Sequence, residues 1–266
     1  MLMQSSNKAR IARRVIEVLE FFDDLHGEAT VMDIVRRYDR PQSSTSELLS
    51  SLVELGILYK DPHSRSYRPT PRVAMLGGNA QAPIIRDGRL NELMDRLNAQ
   101  TGLAVALFGL VGVDVQIFAT RSTRELARDR LASRTYNGMR ERLTDSAVGR
   151  LLLATLSRTR REGIVRRLNA EARGEATPLA EMLEQIDQCE RQGMAIGESG
   201  FGCNAEVCAA LLPAYAVDEP MAVGFVYQPS PLIDVPSLAR TLTSSVAHMV
   251  AQGDDHLPVK PLIAVA

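Results

Sequence analysis

The sequence predicts an α+β chain in two domains: a small helical domain closed by a hairpin, then a larger domain of antiparallel strands with flanking helices. Three observations carry this expectation. At 266 residues the chain exceeds one compact domain of usual size. Apolar residues recur at helical spacing through the first 55 positions and give way to two short strand-like runs around a turn. Beyond residue 100, apolar strand candidates alternate with helical stretches.

Over residues 7–25, Ile11, Val15, Leu19, Phe22 and Leu25 recur at steps of three and four, the spacing of an amphipathic helix. His26-Gly27-Glu28-Ala29 ends it. Thr30 caps a second helix over 31–38 that buries Val31, Ile34 and Val35. The turn Asp39-Arg40-Pro41-Gln42 leads into a third helix over about 43–55, stopped by Gly56. Ile57 to Lys60 and Tyr67 to Pro69 then flank a turn-rich tip, which makes a hairpin. Helix, helix, tight turn, helix, hairpin is the order of a winged helix-turn-helix, and the order is more specific than any one element.

Gly77-Gly78-Asn79 marks a domain boundary, so residues 1–78 form the first domain. Residues 84–100 read as a helix with Leu90, Leu93, Met94 and Leu97 on one face, and 79–101 as a helical linker. In the second domain, 102–266, strands are expected at 103–110, 113–119, 207–212 and 221–227. Helices are expected at 146–156 continuing through 162–168, at 177–192 and at 236–251, while 121–142 is charged and gives no clear pattern.

Composition bounds the function. A hydrophobic fraction of 45% and a charged fraction of 24% are ordinary for a soluble globular chain. No apolar run reaches the roughly 20 residues of a membrane span, and the start carries no apolar signal region, which points to the cytoplasm. Three cysteines are too few for a disulfide framework, and Cys203 and Cys208 lack further ligands for zinc, so neither metal nor cofactor is expected. An enzyme is disfavoured too. His248 and His256 lie near the C-terminus in unremarkable helical and loop settings, and no Gly-x-Ser-x-Gly or phosphate loop occurs.

Net charge is −1, yet the charges are segregated. Residues 1–14 hold Lys8, Arg10, Arg13 and Arg14 without an acid, and 60–72 hold Lys60, Arg65, Arg68 and Arg72 against Asp61 alone. Such segregation steers one face of a domain toward phosphates. A recognition helix lays its N-terminal residues near base edges, and here that end reads Gln42-Ser43-Ser44-Thr45-Ser46. Gln42 can pair with an adenine edge, and Thr45 can bond a base or touch a thymine methyl. The serines can equally be helix caps. With no Arg or Lys on this helix, phosphate contacts fall to Arg36, Arg37 and Arg40, to Lys60, Arg65 and Arg68 of the wing, and to the N-terminal arm.

On these residues the chain resembles the IclR family of bacterial transcription regulators. Asp33 to Tyr38 and Pro41 to Thr45 are similar to its helix-turn-helix, Leu48 to Leu58 to its recognition helix entering the wing, and Tyr67-Arg68-Pro69 to the end of that wing. Leu143 to Ala154 is similar to its Ser/Thr-Ala-x-Gly-Lys-x-Leu-Leu-Ala segment, with Arg150 in place of Lys. Gln192 to Ala195 and the strand around Cys208 continue the likeness. The resemblance implies a GAF-like α/β effector and oligomerisation domain over 102–266. It also implies a small effector, often an organic or aromatic acid, and homodimers or dimers of dimers on palindromic double-stranded operators. By position it places Ser146, Ala147, Gly149, Glu198, Cys208, Phe225 and Tyr227 around the effector. The chain departs from the family pattern at Ser199 to Asn204, at Leu211-Leu212-Pro213 and at Phe225-Val226-Tyr227-Gln228-Pro229. Aromatics in place of serines shrink a pocket or make it apolar, which leaves open a second domain that oligomerises and binds nothing.

Overall fold

The computed structural model describes residues 7–22, 26–77, 81–122, 137–172, 176–214, 217 and 219–254. Two compact units divide the chain, Met1–Gln81 and Ala82–Ala266. Part of the expected break at 77–79, the last residues of the first predicted helix and His256 lie outside the described residues.

The first unit runs α1 (Asn7–Phe21), α2 (Val31–Tyr38), α3 (Gln42–Glu54), β1 (Leu58–Lys60), β2 (Tyr67–Pro69) and α4 (Pro71–Met75). Its core is small and apolar: Val18, Phe21, Ile34, Leu49, Leu52, Leu58 and Tyr67 are buried together. Thr30 opens α2 with a capping box, its hydroxyl accepting from the Asp33 N–H while the Asp33 carboxylate accepts from the Thr30 N–H. The Thr30 hydroxyl also donates to that carboxylate at 2.7 Å, and this bond, followed by the one from the Thr30 N–H, holds the Asp33 carboxyl below its usual range. β1 and β2 pair antiparallel, Tyr59 opposite Arg68, and Ala29 adds one more bridge to Tyr67.

The second unit contains α5 (Pro83–Arg86), α6 (Arg89–Thr101), β3 (Ala104–Val111), β4 (Asp114–Arg121), β5 (Arg140–Arg142), α7 (Ala147–Leu153), α8 (Arg158–Glu171), α9 (Leu179–Gln192), β6 (Met194–Glu198), β7 (Glu206–Leu211), β8 (Met221–Tyr227) and α10 (Val235–Asp254). The strands form one antiparallel six-stranded sheet in the order β5-β4-β3-β8-β7-β6. Strands of period two bury alternate residues on opposite faces, and both faces are covered here. α7, α8 and α9 pack with Phe108, Ile117, Val207, Ala209 and Val226. α6 and α10 pack with Val105, Leu107, Cys208, Val223, Phe225 and Tyr227. The helix expected as a linker therefore buries Leu90, Leu93, Met94 and Leu97 in the core of the second unit.

Candidate nucleic-acid interface and effector face

α3 begins at Gln42 with Pro41 as a cap that contributes no side-chain bond, so the hydroxyl run sits inside the first turns rather than at the cap. The four hydroxyls have different surroundings. Ser43 is exposed and Ser46 half-buried, with Gln42 exposed just ahead of them. Ser44 donates to the Pro41 carbonyl at 3.2 Å. Thr45 corrects the sequence expectation of a base contact. It is 2% exposed, with Oγ1 donating to the Pro41 carbonyl at 2.9 Å, because its position on the helix faces Leu49 and the core. A side chain locked there reaches no base edge.

Arg36 and Arg37 are exposed on α2, and the Arg37 guanidinium stands 5.8 Å from the centroid of the Tyr38 ring. Arg40 is engaged instead. Its Nη2 lies 3.1 Å from Glu17 Oε2 in α1, and the Tyr38 hydroxyl donates to the Glu17 carbonyl at 2.6 Å. On the wing, Lys60, Arg65 and Arg68 are all exposed. Arg68 lies 4.8 Å over the Tyr59 ring and Lys60 lies 5.4 Å over Tyr67, which holds both stems against aromatic faces. The Asp61 carboxylate shapes the wing tip by accepting the N–H groups of His63 and Ser64, and those bonds lower its pKa. Arg72 belongs by sequence to the same basic run, yet its Nη1 donates to the Leu55 carbonyl at 2.9 Å and closes the C-terminus of α3.

In the second unit the predicted effector residues separate. Ser146, fully buried, caps α7 by accepting the Gly149 N–H at 3.0 Å. Ala147, the first residue of α7, is buried, and a Cβ at Gly149 would overlap the Leu143 carbonyl, so only glycine fits there. Cys208, Phe225 and Tyr227 lie on the other face, beneath α6 and α10. This corrects the expectation that they converge with Ser146. Pairing of Cys208 with Phe225 and of Glu206 with Tyr227 puts those side chains on one face, and a shift of one residue flips a strand's side chains to the other. The positions facing α7 are Val207, Ala209 and Val226. Glu198, at the end of β6, is exposed.

The loop from Ser199 to Asn204 closes down on the α7 side. A Cβ on Gly200 would stand 3.1 Å from Ser146 Cβ and from Glu141 Cγ. Phe201, in left-handed backbone at φ 57°, donates its N–H to Glu141 Oε2 at 2.7 Å. Its ring is 6% exposed and stacks on Phe108 with centroids 6.2 Å apart. The Cys203 thiol donates to the Gly200 carbonyl. Sequence reasoning registered this loop as a departure but missed Phe201 as a core residue, since a Gly-Phe-Gly run carries no periodicity.

Residues 12–62 match the family model of the IclR helix-turn-helix domain, and residues 85–227 match that of the bacterial transcriptional regulator IclR C-terminal domain, more than half of the chain. The chain belongs to the IclR family. As an IclR protein it is a transcription regulator with a DNA-binding helix-turn-helix, not an enzyme. No curated protein sequence gives a significant match. Solved IclR structures share the fold at low identity. The regulator from Alicyclobacillus acidocaldarius superposes with a TM-score of 0.57 at 18% identity, covering 93% of this chain and 98% of its own. An IclR homolog from Microbacterium hydrocarbonoxydans, complexed with 4-hydroxybenzoate, gives 0.58 at 19%, covering 92% and 99%. The Thermotoga maritima IclR gives 0.58 at 13%, covering 91% and 98%. No helix among the described residues is long and apolar enough to cross a membrane, and no three of their His, Cys, Asp or Glu residues gather where they could hold a metal ion.

Proposed function

We propose that the chain is a sequence-specific regulator that binds a palindromic operator as a symmetric dimer, with affinity set by a small organic effector in the second unit. One observation carries the DNA half of this reading. Gln42 and Ser43 are exposed and Ser46 half-buried at the start of α3, while the wing cations Lys60, Arg65 and Arg68 are exposed, Lys60 and Arg68 over aromatic rings. Gln42 and Ser46 would read base edges, and Arg36, Arg37 and the wing would meet phosphates. Two recognition helices of a dimer would enter successive major grooves roughly 34–36 Å apart.

The test is fluorescence anisotropy on a duplex selected from a random pool, beside a scrambled duplex, across a salt titration. Arg68→Ala should weaken both duplexes alike and reduce the salt slope by about 1. Gln42→Ala should weaken the selected duplex alone, by about 1–3 kcal/mol. Equal affinity of the wild-type chain for both duplexes would refute sequence-specific binding.

For the effector, the face of the sheet under α7 is the site we favour, with Ser146 and Ala147 above Val207 and Val226. Support comes from the 4-hydroxybenzoate in the Microbacterium relative. A second reading, that this unit only oligomerises, is favoured by Phe201, which already stacks on Phe108 beneath that helix. The two readings part in a thermal-shift measurement with 4-hydroxybenzoate on the wild type and on Phe201→Ala. A bound effector at about 100 times its dissociation constant stabilises the fold by about 2.7 kcal/mol. A shift in either protein supports an effector site, larger in Phe201→Ala if the ring competes with the ligand. No shift in either favours oligomerisation alone.

A further inference from the structure

We propose that Arg14 of α1 is a phosphate-contacting residue of the DNA complex, and that Ser44 of α3 is the positioning residue that holds it there. This rests on the DNA-binding role of the first unit, and it changes the part played by the hydroxyl run. α3 carries neither Lys nor Arg from Gln42 to Glu54. A helix laid against a polyanion without any cation of its own needs charge from its neighbours, since neutralised phosphates dominate affinity. Arg14 supplies it at the right end. Its Nη2 donates to Ser44 Oγ at 3.2 Å, across 30 residues of sequence, and the same Ser44 oxygen donates to the Pro41 carbonyl at 3.2 Å. The Ser44 hydroxyl therefore accepts from Arg14 and donates to the backbone, and its hydrogen is not available to a base. The bond to Ser44 uses one of the five N–H donors of the Arg14 guanidinium. The planar fork suits a phosphate oxygen pair on its other donors.

The surroundings make this a fixed placement. Arg14 is half-buried. One turn further along α1, Glu17 binds Arg40 through both carboxylate oxygens at 3.1 and 3.2 Å and accepts the Tyr38 hydroxyl on its carbonyl. α1 is thus tied to the turn between α2 and α3 on either side of that turn: Tyr38 and Arg40 before Pro41, Ser44 after it. Arg10, one turn earlier and exposed, lies on the same stripe of α1 and extends the basic surface toward the N-terminus. Among the four hydroxyls, Thr45 is a core residue, Ser44 a holder of Arg14, and Ser43 and Ser46 the pair left to face bases.

The experiment measures affinity for a duplex selected from a random pool by the wild-type chain, over 50–300 mM salt, for Arg14→Ala, Arg14→Gln, Arg14→Lys and Ser44→Ala, each with its melting temperature. Arg14→Ala and Arg14→Gln should weaken selected and scrambled duplexes by the same factor, roughly tenfold, and reduce the salt slope by about 0.9 for each arginine removed. Arg14→Lys should restore the slope. Ser44→Ala should weaken binding while leaving the slope near wild type, because the charge stays and only its placement is loosened. An unchanged slope in the Arg14→Gln protein, with only its melting temperature lowered, would overturn the proposal and leave Arg14 as a brace between helices. A wild-type chain that enriches no duplex at all would overturn the DNA-binding role beneath it, a failure visible before any variant is compared.

Discussion

Thr45 shows how one side chain can be assigned chemically and misplaced geometrically. Ser, Thr and Gln at the start of a recognition helix are all competent to touch bases, but a helix turns 100° per residue and only some of them face outward. Thr45 faces the core, so Thr45→Ala should lower stability by about 1–2 kcal/mol, read by urea denaturation, with little change in the salt slope of DNA binding. The buried groups under α10 make a pH prediction. Burial pushes the Cys208 thiol up to about 11. Burial first, and the Glu206 carboxylate second, push the Tyr227 phenol up to about 12. Both groups ionise more readily in the unfolded chain. The stability they contribute is present below about pH 9 and is lost as pH rises through 11, on the order of 2 kcal/mol for the thiol. Denaturation midpoints measured between pH 8 and 11 should fall for the wild type and fall less steeply for Cys208→Val. The buried Tyr227 hydroxyl makes no hydrogen bond of good geometry and stands beside the Glu206 carboxylate, so Tyr227→Phe should be close to neutral. Of the three thiols only Cys203 is partly open, so a native-state alkylation should label it first.

Long periodic elements were legible in the sequence, and short ones were not. α2, α3 and α9, with β7 and β8, follow their apolar spacing to within about two residues, whereas the single helix expected over 84–100 divides at Gly88 into α5 and α6 and α10 runs three residues past its expected end. The two sheet edges were missed. β6 is a five-residue strand interrupted by Gly197, and β5 is Arg-Glu-Arg, whose pairing with β4 no hydrophobic pattern announces. The effector face was legible only in part. Helical spacing fixed Ser146 and Ala147, but which side of a strand a residue takes depends on a single step of register, and both faces of β7 and β8 are apolar. Between helices, Arg161 is a buried cation joining α8 to α9 through Asp187 at 3.0 Å and Glu190 at 2.7 Å. Both carboxylates are half open to water and can be hydrated once released, so Arg161→Met should lower the melting temperature only modestly. Arg161→Ala, which also empties the space of the stem, should lower it further.

Each unit has its own core. The first gathers one cluster around Leu49, Leu58 and Tyr67, while the second has two, one on each face of a single sheet. The cut falls between Gln81 and Ala82, ahead of α6, whose apolar face belongs to the second unit. A fragment of residues 82–266 should therefore fold alone, with a cooperative melt and native-like circular dichroism. A fragment begun at residue 102 would lose Leu90, Leu93, Met94 and Leu97 from its core and should not fold cooperatively.

Two glycines set different limits on what mutation can do. At Gly149 the obstacle to a side chain is the Leu143 backbone, which cannot step aside, so a saturation library should return glycine alone at that codon. At Gly109 the obstacle is the Phe118 ring, a partly exposed side chain that a second substitution can remove. A side chain at position 109 should therefore be tolerated in a Phe118→Ala background, whereas one at position 149 should remain destabilising whatever stands at its neighbours.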